Sequence, residues 1–210
     1  MTVERPAKPM TRIKICGFTR TEDALVAAAF GVDAVGLVFV ERSTRRVDPD
    51  QARDIVRSLP PFVTRVGLFM NAAPATIERT LARVPLDVLQ FHGSESAAEC
   101  SRFGRPWIKA LAMGQADPPA WDEWAGADAL LLDSHGNGKL GGSGESFDWS
   151  RIPRLQRPWI LAGGLHPENV AVACRELAPD AVDVSSGVEK SPGIKDHRLM
   201  QQFIEAVRHA

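Results

Sequence analysis

Cys16 and Asp133 each end a largely apolar run, Ile13-Lys14-Ile15 before the thiol and Leu130-Leu131-Leu132 before the carboxyl. Runs of this kind read as strands buried on both faces, so each reactive group arrives at a strand end. A partly buried carboxyl with a raised pKa is suited to general-acid work, whereas its plainer reading is a cap or acceptor for the loop that follows. A lone cysteine in a strand is normally a small buried hydrophobe, and Cys100 and Cys174, mid-helix among apolar neighbours, keep that reading. Cys16 departs from it because Gly17 follows directly, opening space at the strand end. Two further strand ends are small: Ala162-Gly163-Gly164, and Asp183-Val184-Ser185-Ser186-Gly187. Residues of that size let backbone N–H groups approach an anion, so Gly163, Gly164, Ser185, Ser186 and Gly187 read as a phosphate grip. In Ser43-Thr44-Arg45-Arg46, the guanidinium of Arg45 offers a planar fork for a carboxylate, while Arg46 reads as a solvated charge. Gln90 and His92 share one side of their strand and, with Gly142 and Asp183, make up the expected polar lining. His166 before Pro167 reads as structural, and His135, His197 and His209 fall in loop or surface contexts.

Gathering these groups requires elements that deliver them to one face. Apolar, β-branched-rich runs recur at 13–16, 34–39, 65–70, 88–91, 107–111, 129–132, 159–161 and 181–184. Helix-like stretches separate most of them, at 21–30, 50–59, 74–84, 95–103 and 167–177, and another at 197–210 closes the chain. Strand and helix in alternation predict right-handed βα units, and eight with no strand left over predict an α/β fold, a single (β/α)8 TIM barrel. In that fold the strand C-termini form the catalytic face, and a phosphate is held after the last two strands, where the two glycine turns fall. Two helices are weakly written: 120–124 is short, and the Gly-rich stretch 134–146 is followed only by a stub near 150–155. The Gly141-Gly142-Ser143-Gly144 segment reads as a flap over a substrate. Residues 1–10, charged and carrying two prolines, read as a flexible leader to one catalytic domain over 11–210.

Bulk composition narrows the function. The chain has 210 residues, 44% hydrophobic, enough for one substantial core. Its 25 Lys+Arg nearly cancel 26 Asp+Glu, so no global field draws nucleic acid or an anionic membrane, and any anion is held locally. Three cysteines are an odd count, which argues against a complete disulfide framework and for a reducing cytoplasm. Neither a metal-type Cys/His spacing nor a run of membrane-spanning length is present, and no cofactor is expected. A closed barrel offers no sheet edge, which leans towards a monomer.

Between Ile13 and Asp196 the chain resembles the phosphoribosylanthranilate isomerases of tryptophan biosynthesis. The resemblance is carried by Lys14-Ile15-Cys16-Gly17, Gly36-Leu37-Val38-Phe39, Ser43-x-Arg45, Val66-Gly67-Leu68-Phe69-x-Asn71, Leu89-Gln90-Phe91-His92-Gly93 and Gly141-Gly142-Ser143-Gly144-x-x-Phe147-Asp148-Trp149. It continues through Ala162-Gly163-Gly164-Leu165-x-Pro167-x-Asn169-Val170 and Asp183-Val184-Ser185-Ser186-Gly187-Val188-Glu189 to Pro192-Gly193-x-Lys195-Asp196. The resemblance implies an Amadori rearrangement of a phosphoribosyl substrate, with Asp133 as general acid at the ring oxygen and Cys16 as general base at C2. It also implies that Arg45 clamps the anthranilate carboxylate and that the two turns hold the phosphate. A thiol with a pKa of about 8.5 is a weak base at neutral pH, so the site must favour thiolate. Lys14 lies one layer deeper by alternation and is not expected to supply that help. Arg46 replaces a residue that is often aromatic in the family, and Glu41-Arg42 replaces a Pro-containing stretch, which leaves the aryl end less defined than the phosphate end.

Three rivals are weighed against this reading. The histidine-pathway ribosyl isomerases resemble the chain in fold but carry an aspartate where Cys16 stands. Aldolase or metal-epimerase chemistry would want a Schiff-base lysine or a His/Asp ligand set, and neither stands out. A catalytically silent phosphate-metabolite binder would have no reason to assemble an acid, a base and a carboxylate clamp together.

Overall fold

Eight parallel strands close in chain order into a barrel. They are β1 (Arg12–Cys16), β2 (Ala34–Val38), β3 (Thr64–Phe69), β4 (Val88–Phe91), β5 (Trp107–Ala112), β6 (Ala129–Asp133), β7 (Trp159–Leu161) and β8 (Ala181–Val184). The computed structural model describes residues 10–114, 121–134 and 148–210; the expected leader, apart from Met10, and the Gly-rich flap with Gly142 lie outside the described residues. Closure is direct, with β1 paired to both β2 and β8, so Lys14 is in register with Asp183.

Six helices are described: α1 (Thr21–Ala29), α2 (Pro49–Ser58), α3 (Pro74–Arg83), α4 (Ala97–Ser101), α5 (Val170–Leu177) and α6 (His197–Arg208). Their starts follow local chemistry. Asp48 accepts from the amides of Asp50 and Gln51 with Pro49 in the first turn, and Asp196 accepts from Arg198 and Leu199. The helix expected over 95–103 is shorter because the Ser96/Glu99 capping box starts it at Ala97. That expected from 167 starts at Val170, after a turn in which Asn169 accepts from the His166 amide. The two weakly written helices are 3₁₀ turns, Trp121–Trp124 and Trp149–Arg151.

One element has no counterpart in the sequence reading. After β8 a 3₁₀ turn (Ser186–Val188) leads into an antiparallel hairpin, β9 (Glu189–Ser191) and β10 (Ile194–Lys195). Its strands are too short to show alternation, and the one local signal is Pro192-Gly193, where Gly193 takes φ 80°.

Alternation splits the core in two. Outward residues such as Ile15, Leu37, Phe69, Leu132 and Val182 join Ala24, Ile55, Ile77 and Phe203 of the helices in one continuous layer. Inside the barrel, Ile108, Ala110, Leu131, Ile160 and Ala162 fill one region. Cys16, Val38 and Val40, with Leu68 and Met70, form another near the strand C-termini. The barrel is therefore solid below and open above, which confines chemistry to its C-terminal mouth. Among the described residues, no helix is long and apolar enough to cross a membrane.

Candidate active site

The thiol of Cys16 ends β1 almost wholly buried, in space left by a glycine on the neighbouring strand. A Cβ on Gly36 would stand 2.7 Å from Sγ, so only glycine there leaves the sulfur in place. Beneath it, Lys14 Nζ and Asp183 Oδ1 form an ion pair at 2.9 Å, both side chains buried. Burial pushes the Cys16 thiol up; the Lys14 ammonium, which also hydrogen-bonds it, pulls it back, Asp183 adds to the rise, and Lys195 opposes it. Burial likewise works against the Lys14 charge, but Asp183 and Cys16 together hold its pKa above the ordinary lysine value. The expectation that Lys14 lies too deep to help is corrected: its four-carbon stem spans the layer spacing, and its ammonium is the strongest influence favouring thiolate.

Asp133 ends β6 and is also buried. His92 Nε2 lies 3.3 Å from Asp133 Oδ2, and Gln90 Nε2 lies 3.3 Å from His92 Nδ1. A Gln90 amide that donates to Nδ1 would leave the ring proton on Nε2, on the side of Asp133. The loop carrying His92 is braced from outside the barrel. Glu95 accepts from the amides of Asn71 and Gly93 and is neutralised by Lys109 at 3.0 Å. A Cβ on Gly93 would overlap the Asn71 side chain, which explains the glycine.

Arg45 reaches the site across Gly17. That glycine takes φ 81°, and a Cβ on it would lie 2.6 Å from Arg45 Cδ, so the guanidinium stem crosses the backbone beside Cys16. Its Nε and Nη2 donate to Glu189 at 2.9 and 2.7 Å. Arg46 is exposed, and its amide donates to the Ser43 carbonyl, in keeping with a solvated charge.

Gly163 and Gly164 adopt φ 83° and 65°, the left-handed region that favours glycine. A Cβ on Gly163 would overlap the amide of Ser134, so the loop after β7 packs directly on the residue following Asp133. Asn169 Nδ2 donates to the Gly164 carbonyl, which fixes the turn after β7. The amides of Gly164, Ser186 and Gly187 donate to no described residue. Gly187 has a different part from the other grip residues: it does not line the cleft, and its hydrogen lies against the Leu165 carbonyl, where a Cβ would overlap.

These groups line one open cleft at the barrel mouth. It brings together Cys16, Arg45, Gln90, His92, Asp133, Gly163, Gly164, Asp183, Ser185 and Ser186. Val38, Val40, Leu68 and Met70 supply an apolar wall that sequence reasoning did not single out, although their i, i+2 spacing along and just past β2 and β3 carried the signal.

A closed barrel with titratable groups and unpaired amides at the strand C-termini defines a (β/α)8-barrel enzyme for an anionic small molecule. Comparison with known proteins is more specific. The family model described as N-(5'phosphoribosyl)anthranilate (PRA) isomerase matches residues 13–206, and the chain belongs to that family. The N-(5'-phosphoribosyl)anthranilate isomerase of Acidithiobacillus ferrooxidans is 59% identical over 202 residues, covering 95% of this chain and 98% of its own. Among crystal structures, the phosphoribosyl anthranilate isomerase of Thermus thermophilus superposes with a TM-score of 0.84 at 40% identity, covering 95% and 99% of the two chains. Another phosphoribosyl anthranilate isomerase, in complex with reduced 1-(o-carboxyphenylamino)-1-deoxyribulose 5-phosphate, matches with a TM-score of 0.79 at 37% identity, covering 96% and 100%.

Proposed function

We propose that Asp133 and Cys16 are the acid and base with which this isomerase converts N-(5-phosphoribosyl)anthranilate into 1-(2-carboxyphenylamino)-1-deoxyribulose 5-phosphate, a step of tryptophan biosynthesis. The observation that carries the assignment is their order around the barrel. Asp133 on β6, the grip after β7 and β8, Cys16 on β1 and Arg45 after β2 follow one another along one arc of the mouth. A phosphate held after β7 and β8 would leave the ribose between the carboxyl and the thiol. The aryl carboxylate would then lie towards Arg45, against Val38, Val40, Leu68 and Met70.

In this reading Asp133 delivers a proton to the furanose oxygen, the C1–O bond breaks, and the anthranilate nitrogen stabilises the resulting C1 as an iminium. Cys16 thiolate removes the C2 proton; the enolamine then takes a proton at C1 as its 2-hydroxyl gives one up to become the C2 ketone, and proton exchange with solvent restores the Cys16 thiolate and the Asp133 acid, so the net reaction is an isomerisation. Lys14 keeps the thiolate accessible, and Asp183 keeps Lys14 charged and in place. The proposed compartment is the cytoplasm, in keeping with cysteines that are present as thiols.

The direct test is turnover of N-(5-phosphoribosyl)anthranilate followed by loss of anthranilate fluorescence; no turnover by the folded protein would reject the assignment. Two further results are expected. Arg45→Ala loses about 2–4 kcal/mol of substrate binding or transition-state stabilisation, as for a charge-assisted contact with a partly buried partner, while Arg46→Ala is near neutral. Equal losses would remove Arg45 from its role. Inorganic phosphate should compete weakly with substrate through the amides of Gly164 and Ser186. A non-competitive pattern would place the anion elsewhere.

A further inference from the structure

Arg45 is held by a second cation acting through an anion, outside the eight-stranded barrel. Glu189 opens the β9–β10 hairpin and Lys195 ends it. Side-chain exposure is 13% for Arg45, 4% for Glu189 and 0% for Lys195, so three charges are gathered with little water. The ammonium of Lys195 has three protons and three acceptors: the Cys16 carbonyl at 2.6 Å, the Ser185 carbonyl at 3.2 Å and Glu189 Oε1 at 2.8 Å. Glu189 accepts in addition from Arg45 Nε and Nη2 and from the Gly193 amide at 3.3 Å. Arg45 Nη1 donates to no described residue, and Arg45 lines the cleft.

We propose that Glu189 and Lys195 are positioning residues: Glu189 grips the Nε–Nη2 edge of Arg45 so that the Nη1 side meets the substrate carboxylate, and Lys195 fixes Glu189. The inference rests on the reading of Arg45 as the carboxylate clamp. A guanidinium can bind two carboxylates on different edges, so an internal carboxylate on one edge fixes the plane in which the other is offered. The cluster carries one net positive charge while the cleft is empty, and a bound carboxylate neutralises it. Burial pulls the Lys195 ammonium down, with Glu189 opposing, so loss of Glu189 would favour neutral Lys195 rather than a more cationic site. Removal of the anion therefore disturbs the orientation of Arg45 more than the net attraction for substrate. Lys195 has a wider reach than Glu189, since it also ties the end of β1 to the backbone after β8.

The two residues should separate kinetically. Glu189→Gln, nearly isosteric, should raise KM for phosphoribosylanthranilate about tenfold with kcat changed less than about threefold, and should leave the inhibition constant of inorganic phosphate unchanged. Lys195→Met should raise KM, lower kcat and weaken phosphate together, because it releases the Cys16 and Ser185 carbonyls as well. In an Arg45→Ala background, Glu189→Gln should add nothing. Should Gln at 189 prevent folding, Glu189→Asp, which keeps the charge but is one methylene too short for both cations, serves the same cycle with a smaller KM rise. An unchanged or lowered KM in Glu189→Gln overturns the proposal, the latter showing that Glu189 competes with substrate for Arg45. An undiminished Glu189→Gln effect without Arg45 also overturns it. Wild-type KM in Arg45→Ala would instead overturn the clamp reading on which it stands.

Discussion

Asp133→Asn should lower kcat by at least ~100-fold while substrate still binds, the usual loss when a positioned acid is removed. The substitution isolates one property. Asparagine matches the carboxyl in shape and can still accept from His92 Nε2, now 3.3 Å from Oδ2, yet it has no proton to deliver to the ring oxygen. Because Asp133 is buried at the end of β6, a larger change would confuse chemistry with folding; asparagine keeps the volume. KM and the thermal midpoint should therefore stay near wild type, and the loss should persist with saturating substrate. A variant that is merely unstable, with full activity in its folded fraction, would make Asp133 a cap for the segment after β6 and take the acid out of the mechanism.

Alternation and punctuation carried most of the barrel. β4, β7 and β8 have the bounds expected from their apolar runs, and every other strand differs by one residue at an end or at each of both ends. Buried parallel strands are legible because both faces must be apolar, a demand no surface loop meets. Helix starts were less so, since the Ser96/Glu99 box and the Asn169 turn override the pattern that precedes them. The site was legible wherever the signal was a residue type at a strand end: Cys16, Asp133 and the glycine turns all line the mouth except Gly187, which packs against Leu165. The distances that arise only on closure were hidden. Lys14 meets Asp183 because β1 pairs with β8 across 169 positions, and Glu189 meets Arg45 across 144. Long flexible side chains do not respect strand layers, which is why the period-2 rule placed Lys14 correctly and still misjudged its reach.

Cys16→Ser should likewise reduce kcat at least ~100-fold, with folding little affected because the hydroxyl fits the space that Gly36 leaves for sulfur. A serine hydroxyl is far less acidic than a thiol, so the loss measures how much turnover depends on an ionised base. The pH profile sharpens the test. Burial raises the Cys16 thiol above its ordinary value, so thiolate is scarce at neutral pH and kcat/KM should climb as pH rises, with its limb on the alkaline side of an unperturbed thiol. Lys14 lowers that same pKa, so removing the ammonium should move the limb to still higher pH, with the deficit narrowing as the medium becomes more alkaline. Lys14→Met alone would strand the Asp183 carboxylate in a buried place, a cost of about 3–5 kcal/mol. The double variant Lys14→Met/Asp183→Asn avoids this. It should still shift the limb upward, because Lys14 outweighs the opposing influence of Asp183 on the thiol. A flat profile in the wild type, or a limb that moves to lower pH when the pair is neutralised, would show that the proton at C2 leaves to some group other than Cys16.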